Sequence, residues 1–160
     1  FGEIINGDMI LNRYGEIVQK WWLEIHVHFP NVEMGAFVIM PNHVHGIIFI
    51  LDGRGTVPVP RDDGVNALSQ NNAMMGTTQG GETPPLRQPT LGQIVAYFKY
   101  QSTKEMNTVE NAGVVTKFWQ RNYYEHVIHN EKDLRNKTDY IEANPLLWGE
   151  DDENPINVKP

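Results

Sequence analysis

The chain has 160 residues, of which 40% are hydrophobic and 21% are charged, a composition typical of one soluble globular domain over 1–160. It has neither an apolar run long enough for a membrane span nor a leader-like start, and it lacks cysteine, so we expect a cytoplasmic protein without membrane segments, disulfides or thiolate metal sites. The net charge of −7 by itself argues against a nucleic-acid partner.

The first third of the chain predicts a hairpin, a helix and two strands. Gly7 and Asp8 separate two short apolar runs, which is a hairpin signal. Asn12 is a suitable N-cap for a helix whose apolar residues recur every three or four positions, and Pro30 ends that helix. Two apolar runs of strand length follow within residues 32–51, joined by the sequence PNHVH.

Residues 52–89 break this pattern. The segment is rich in glycine and proline and has few large apolar side chains, so it cannot bury enough surface to offset the entropy of ordering it. We therefore predict a flexible loop inside a single domain. After it, Thr90 is a suitable N-cap for a helix that extends to about Met106.

The last part of the chain predicts a strand at 123–128 and a final helix. Asn130 would cap this helix, whose first turn has acidic residues that the helix dipole favours. Pro145 would stop it after Asn144. Because strands and helices mix along the chain, we predict an α+β sandwich with a mainly antiparallel sheet.

Four of the six histidines form two His-x-His pairs. His43 and His45 lie where one predicted strand follows another, and residues i and i+2 of extended chain point to the same face, so both imidazoles could bind one divalent ion. The alternative is two solvent-facing histidines near a turn. His26 and His28 lie at the end of a predicted helix, where positions i and i+2 are about 200° apart, and we do not expect them to share a metal.

Tyr140 and Asn144 are four residues apart on the predicted last helix and so lie on one face of it. An amide oxygen suits Mg²⁺ or Mn²⁺, and imidazole ligands make Mn²⁺ particularly acceptable. A tyrosine beside such an ion could attack a phosphodiester. The alternative is that the tyrosine packs on the sheet and the asparagine caps the helix.

Two further features allow a nucleic-acid interpretation. Residues 87–138 contain eight basic and five acidic residues, a local excess of +3, which suits either phosphate contacts or a solvated helix surface. Tyr123 and Tyr124, beside His126, either stack on bases or fill the core. Trp119 is expected to anchor packing.

Two long strings carry a family resemblance. FVIMPNHVHGIIFI resembles the signature of the small HUH single-strand DNA transposases, in which a strand presents His-hydrophobic-His to a metal. FWQRNYYEHVIHNEKDLRNKTDYIEANPLLW resembles the second signature of the REP-associated tyrosine transposases, and FGEIINGDMILNRYGEIV and FPNVEMGAF resemble their N-terminal half. The resemblance covers most of residues 1–51 and 90–149, whereas the 52–89 loop matches no motif of the family. It also implies a further strand ahead of the segment that begins at Phe1.

The resemblance implies a ferredoxin-like or RRM-like sandwich with helices on one face. It also implies that His43, His45 and Asn144 bind Mg²⁺ or Mn²⁺ and that Tyr140 is the nucleophile. The implied activity is metal-dependent cleavage and rejoining of single-stranded, hairpin-forming DNA through a 5′-phosphotyrosine, by a monomer or homodimer. Glu125 and His126 also fall within the family pattern, without an assigned role.

Five basic residues are candidate phosphate contacts for that DNA: Lys99, Lys104, Arg121, Arg135 and Lys137. Two alternatives from other classes stay open. One is a domesticated or decayed protein that binds hairpin DNA without cleaving it. The other is a metal-binding enzyme of unrelated chemistry.

Overall fold

A computed structural model describes residues 1–51, 88–110, 113, 115–151 and 153–157. Strands β1 (Gly2–Ile5) and β2 (Asp8–Leu11) form an antiparallel hairpin in which Ile5 pairs with Asp8. Its turn is Asn6-Gly7, one residue earlier than the turn signal in the sequence, and both turn residues have positive φ, 55° and 87°. Positive φ at both positions is what a tight two-residue hairpin turn requires, and Gly7 adopts it without steric cost.

Helix α1 (Arg13–Leu23) begins at the predicted cap, because the Asn12 side chain accepts hydrogen bonds from the amides of Tyr14 and Gly15 at 2.9 and 3.1 Å. The predicted single helix to Pro30 is divided at Glu24, and a short helix α2 (Ile25–His28) follows. The buried face of this helical stretch supplies part of the core.

Strands β3 (Val32–Ile39) and β4 (Val44–Ile50) pair antiparallel, as predicted, with a bulge between Met34 and Phe37. The connection between the strands is short, since the Met40 amide donates to the His43 carbonyl at 2.9 Å. Within the described residues, β1–β2 and β3–β4 are separate two-stranded sheets.

Helix α3 (Leu91–Glu110) begins at Thr90, as predicted, and ends four residues after the predicted Met106. The Thr90 amide donates to the Gln93 side chain at 2.9 Å and the Gln93 amide donates to the Thr90 hydroxyl at 3.3 Å, which is a reciprocal cap. Most of the predicted loop lies outside the described residues, at 52–87.

The main core lies between the β3–β4 sheet and helices α1 and α3. Trp22 of α1 is 6% exposed and stacks on Phe37 of β3, with ring centroids 4.1 Å apart and planes at 8°. Phe98 of α3 meets the edge of Trp22 at 5.8 Å. The same cluster includes the following buried residues: Ile17, Val18, Ile25, Val32, Ile39, Ile94 and Met106.

Residues 123–128 do not form the predicted strand. Tyr124 is 90% exposed and Val127 is 67% exposed, so the apolar pattern of this segment is not used to cover a sheet. Side-chain hydrogen bonds fix the residues directly before the segment. The Lys99 ammonium donates to the carbonyls of Gln120 and Asn122 at 3.0 and 3.1 Å, ahead of the predicted strand.

Helix α4 (Glu131–Leu147) begins as predicted, since the Asn130 side chain accepts from the Asp133 amide at 2.9 Å. The prediction that Pro145 stops the helix is wrong, because α4 passes through it and continues into a 3₁₀ turn at Trp148–Glu150. In the last helical turn a proline forfeits only one backbone hydrogen bond, which the packing of the helix can offset.

The two faces of the β3–β4 sheet carry different helices. Gly46 points toward Trp22 of α1, whereas the ring of His45, the preceding residue, contacts Tyr140 of α4. Since adjacent residues of a strand face opposite ways, α1 and α3 cover one face and α4 covers the other. The α+β class is confirmed, and the expectation of helices on one face holds for α1 and α3 but not for α4. None of the described helices is both long and apolar enough to cross a bilayer.

Candidate active site

His43 and His45 meet at the start of β4. Their Nε2 atoms are 2.9 Å apart and their rings are nearly perpendicular, at 82°. Val44 between them packs against the core on the opposite face, as the alternation of a strand requires. The predicted geometry of the pair is therefore realised, and both imidazoles present a ring nitrogen to the same point.

Burial lowers the pKa of His43 and of His45 below the usual histidine value. The carboxylate of Asp151 raises both pKa values, and Glu153 raises that of His43, but burial is the larger effect. His43 further lowers the pKa of its neighbour. The lowered pKa values favour the uncharged form of both rings, which is the form that binds metal ions.

Helix α4 brings Tyr140 onto the histidine pair. Its ring meets His45 edge to face, with centroids 5.4 Å apart, and the side chain is half exposed. Asn144, one helical turn later, is only 3% exposed, and its Nδ2 has no hydrogen-bond partner within the described residues. Because buried amides are nearly always hydrogen-bonded, this unsatisfied group needs an explanation.

Two histidine nitrogens and a buried amide are groups that a divalent ion accepts as ligands. The described residues contain no cluster of three or more His, Cys, Asp or Glu side chains that could hold a metal, so the two histidines need another kind of ligand. The Nε2 atoms are 2.9 Å apart, a hydrogen-bond distance, and two ligands at adjacent corners of an octahedral ion about 2.1 Å away would have nearly the same separation, about 3.0 Å. The amide of Asn144 would supply an oxygen with its two ends exchanged, since they have nearly the same shape. These residues fit Mg²⁺ or Mn²⁺.

The sequence did not reveal two further neighbours of His43. Trp148, directly after α4, lies with its ring 6.0 Å from the imidazole, and Asp151 places Oδ2 4.0 Å from its Nε2. The Asp151 side chain is 11% exposed and its Oδ1 accepts from the Glu153 amide at 2.7 Å. The only sequence signal was the acidic run at 150–153, which by itself is equally typical of a solvated tail.

In the other His-x-His pair, the ring of His28 makes a packing contact. His28 stacks on Tyr97 of α3, with centroids 4.0 Å apart and planes at 8°, and His26 is exposed. Both lie in the short helix α2, where their spacing separates the side chains as predicted.

Tyr123 and Tyr124 are surface residues, 42% and 90% exposed, so they do not fill the core. The ammonium of Lys99 lies 5.6 Å from the Tyr123 ring centroid. His126 pairs through Nε2 with the Asp133 carboxylate at 2.9 Å. Trp119 packs against the core cluster and donates to the Ser102 hydroxyl at 2.9 Å, as an anchoring residue would.

The five predicted phosphate contacts differ in their surroundings. Lys104, Arg121 and Arg135 are exposed, and Lys137 is partly buried. Lys99 is engaged with two backbone carbonyls, and burial lowers its pKa. The structure does not bring these five residues together by any direct contact within the described part of the chain.

No family model matches the chain, and no solved structure matches it significantly. A Haemophilus influenzae protein described only as uncharacterized is 39% identical over 152 residues, which covers 94% of this chain and 75% of that protein. A second Haemophilus influenzae protein, named "Putative REP-associated tyrosine transposase", is 36% identical over 62 residues. This second match covers 34% of this chain and 35% of that protein, so it is a partial likeness to that family.

Proposed function

We propose that this chain is a metal-dependent endonuclease and strand transferase for single-stranded DNA, of the REP-associated tyrosine transposase family. One observation carries the proposal: a half-exposed tyrosine on α4 contacts His45, whose ring nitrogen meets that of His43. The partial likeness to a protein of that name supports the same assignment.

His43, His45 and Asn144 would hold Mg²⁺ or Mn²⁺. When bound, such an ion polarises a phosphate and offsets the charge that develops on it. The residues' own contribution is to present two neutral nitrogens and a buried amide on adjoining elements, β4 and α4. All three are partly or fully buried, and packing restricts the rotamers of buried side chains.

Tyr140 is the proposed nucleophile. Its phenolic oxygen would attack the scissile phosphorus, forming a P–O bond to tyrosine as the P–O3′ bond breaks. The phenolic proton is lost and the departing 3′ oxygen is protonated, which leaves a 3′-hydroxyl and a 5′-phosphotyrosine. Attack by another 3′-hydroxyl reverses the step and rejoins DNA without an external energy source. The half exposure of Tyr140 suits a substrate that approaches from solvent.

The order of the helices and strands supports a more specific proposal for the fold than the α+β class. If the short helix α2 is counted with α1, the order β2–α1–β3–β4–α3 is that of the first five elements of a ferredoxin-like βαββαβ unit. The predicted sixth element at 123–128 is not a strand, and β2 does not pair with β3 or β4. We therefore propose a ferredoxin-like relationship for this part, with α4 added on the opposite face to carry the nucleophile.

The test is covalent adduct formation on single-stranded hairpins with randomised flanks, labelled at the 3′ end because the 5′-phosphate side stays on the protein. Wild type with Mn²⁺ should give a labelled band in a denaturing gel, and Tyr140→Phe should give none while still binding the hairpin. Tyr124→Phe removes a hydroxyl from the most exposed tyrosine and should react normally. His43→Ala should lose the adduct, whereas His26→Ala should keep it.

Two results would overturn parts of the proposal. An adduct that survives Tyr140→Phe but not Tyr123→Phe or Tyr124→Phe would move the nucleophile to the exposed pair. Hairpin binding without any adduct from wild type would identify a DNA-binding protein that does not cleave.

A further inference from the structure

Asn42 lies between the histidine pair and the chain that follows α4. Its Oδ1 is 2.8 Å from Nδ1 of His43, and its Nδ2 donates to the carbonyl of Glu153 at 2.7 Å. The sequence separation of the second contact is 111 residues, so this single amide joins two distant segments at the candidate site.

These two contacts fix the orientation of the amide. A backbone carbonyl only accepts hydrogen bonds, so the amide atom facing Glu153 must be the nitrogen, and the oxygen must face His43. An amide oxygen also only accepts, so Nδ1 of a neutral His43 must carry the ring hydrogen and donate it. The hydrogen-bond pattern therefore selects one tautomer of His43.

In that tautomer Nε2 of His43 carries a lone pair and no hydrogen, so it accepts the hydrogen bond from Nε2–H of His45 and a divalent ion would take the place of that hydrogen. Nε2 is the atom 2.9 Å from Nε2 of His45 and 4.0 Å from the Asp151 carboxylate, at the point where the candidate ligands converge. The alternative tautomer would place a hydrogen on Nε2 and block it as a ligand. Contacts on the far nitrogen commonly set the orientation and basicity of metal-binding histidines in this way.

We propose that Asn42 is a positioning residue that holds His43 in the Nδ1–H tautomer and so prepares Nε2 for a divalent ion. This inference rests on the proposed function, since it assigns the ion to the same histidine pair. The Asn42 amide also donates to the backbone carbonyl of Glu153. The backbone N–H of Glu153 in turn donates to Oδ1 of Asp151 at 2.7 Å, and Asp151 lies beside the histidine pair. Asn42 thus has two separable contacts, one accepting from His43 and one donating to Glu153.

Two substitutions separate these contacts. Asn42→Ala removes both. Asn42→Asp keeps an oxygen that accepts from Nδ1–H but cannot donate to Glu153. Asn136→Ala is the control, because it makes the same substitution at an exposed position of α4 that has no part in the candidate site.

The first measurement is Mn²⁺ binding to DNA-free protein by electron paramagnetic resonance. Asn42→Ala should weaken Mn²⁺ binding about tenfold. Losing a hydrogen-bond partner of a metal-binding histidine usually costs about 10–100-fold, and we expect the lower end of that range because Asn42 is exposed. Asn42→Asp and Asn136→Ala should bind at least as tightly as wild type. Wild-type affinity in Asn42→Ala, or equal losses in Asn42→Ala and Asn42→Asp, would refute the tautomer argument.

The second measurement is the ¹⁵N spectrum of His43 in metal-free protein at about pH 8, above the usual histidine pKa. Wild type and Asn42→Asp should give the Nδ1–H pattern, and Asn42→Ala should shift toward the tautomer mixture of free histidine. An unshifted Asn42→Ala spectrum would overturn the inference. If wild type binds Mn²⁺ no better than His43→Ala, the proposed metal site fails, and the spectrum still decides whether Asn42 sets the tautomer.

Discussion

Gly46, the residue after His45, should tolerate no side chain. A Cβ built there would lie 2.5 Å from Cζ2 of Trp22 and closer still to Cη2, and 3.1 Å from Cδ2 of Phe37. Carbon atoms in contact prefer about 3.5–4.0 Å, so the indole would have to move by about 1 Å or more. Trp22 has no room to do so, because it is 6% exposed and lies between Phe37 and Phe98.

The expected cost of Gly46→Ala follows from this clash. Overpacking a filled core costs about 1–3 kcal/mol, and the lower entropy of an alanine in the unfolded chain returns about 0.4–1 kcal/mol. The midpoints of these ranges differ by a net loss of about 1.3 kcal/mol in the free energy of unfolding. For a chain of this length that is a fall of about 3–5 °C in Tm.

Thermal unfolding followed by circular dichroism measures the effect. Gly149→Ala is the matched control, because a Cβ at that position meets nothing within 4 Å. It should change the free energy of unfolding by less than about 0.5 kcal/mol. If Gly46→Ala and Gly149→Ala both unfold at the wild-type temperature, the stack of Trp22 over Gly46 is wrong.

Two further predictions concern the support of the exposed segment before α4. Ser102→Ala should lower the free energy of unfolding, measured by urea denaturation, by about 1–3 kcal/mol, because it leaves the Trp119 indole N–H without its acceptor. The control Thr108→Ala loses only an exposed hydrogen bond to the Lys104 carbonyl at 2.9 Å and should cost much less. Equal losses would contradict the role of Trp119. The hydrogen bond from His126 lowers the pKa of Asp133, so the stabilisation from this carboxylate is present above its unfolded pKa of about 3.9 and is lost as pH falls through the lower folded value. The stability difference between wild type and Asp133→Asn should therefore shrink as pH falls below about 4, and a difference that stays constant or grows from about pH 4 to about pH 2 would refute the assignment.

Local patterns in the sequence determined most of the helices and strands and the shared face of the histidine pair. Asn12, Thr90 and Asn130 were identified as helix caps because capping depends on a side chain and amides two or three residues away. His43 and His45 were predicted to share a face because side-chain alternation is a property of a single strand. The four-residue spacing of Tyr140 and Asn144 likewise follows from helix geometry alone.

Contacts between distant segments were decided only by the tertiary structure. Nothing in the period of α4 specifies that it packs on the His45 face of β4, or that it continues past Pro145 so that Trp148 and Asp151 approach His43. The 123–128 segment has the composition of a strand, but a strand also needs a partner with free backbone groups, and none pairs with it in the described structure. Strand pairing and helix docking depend on which surfaces remain available across the whole chain, so they cannot be derived from local propensity.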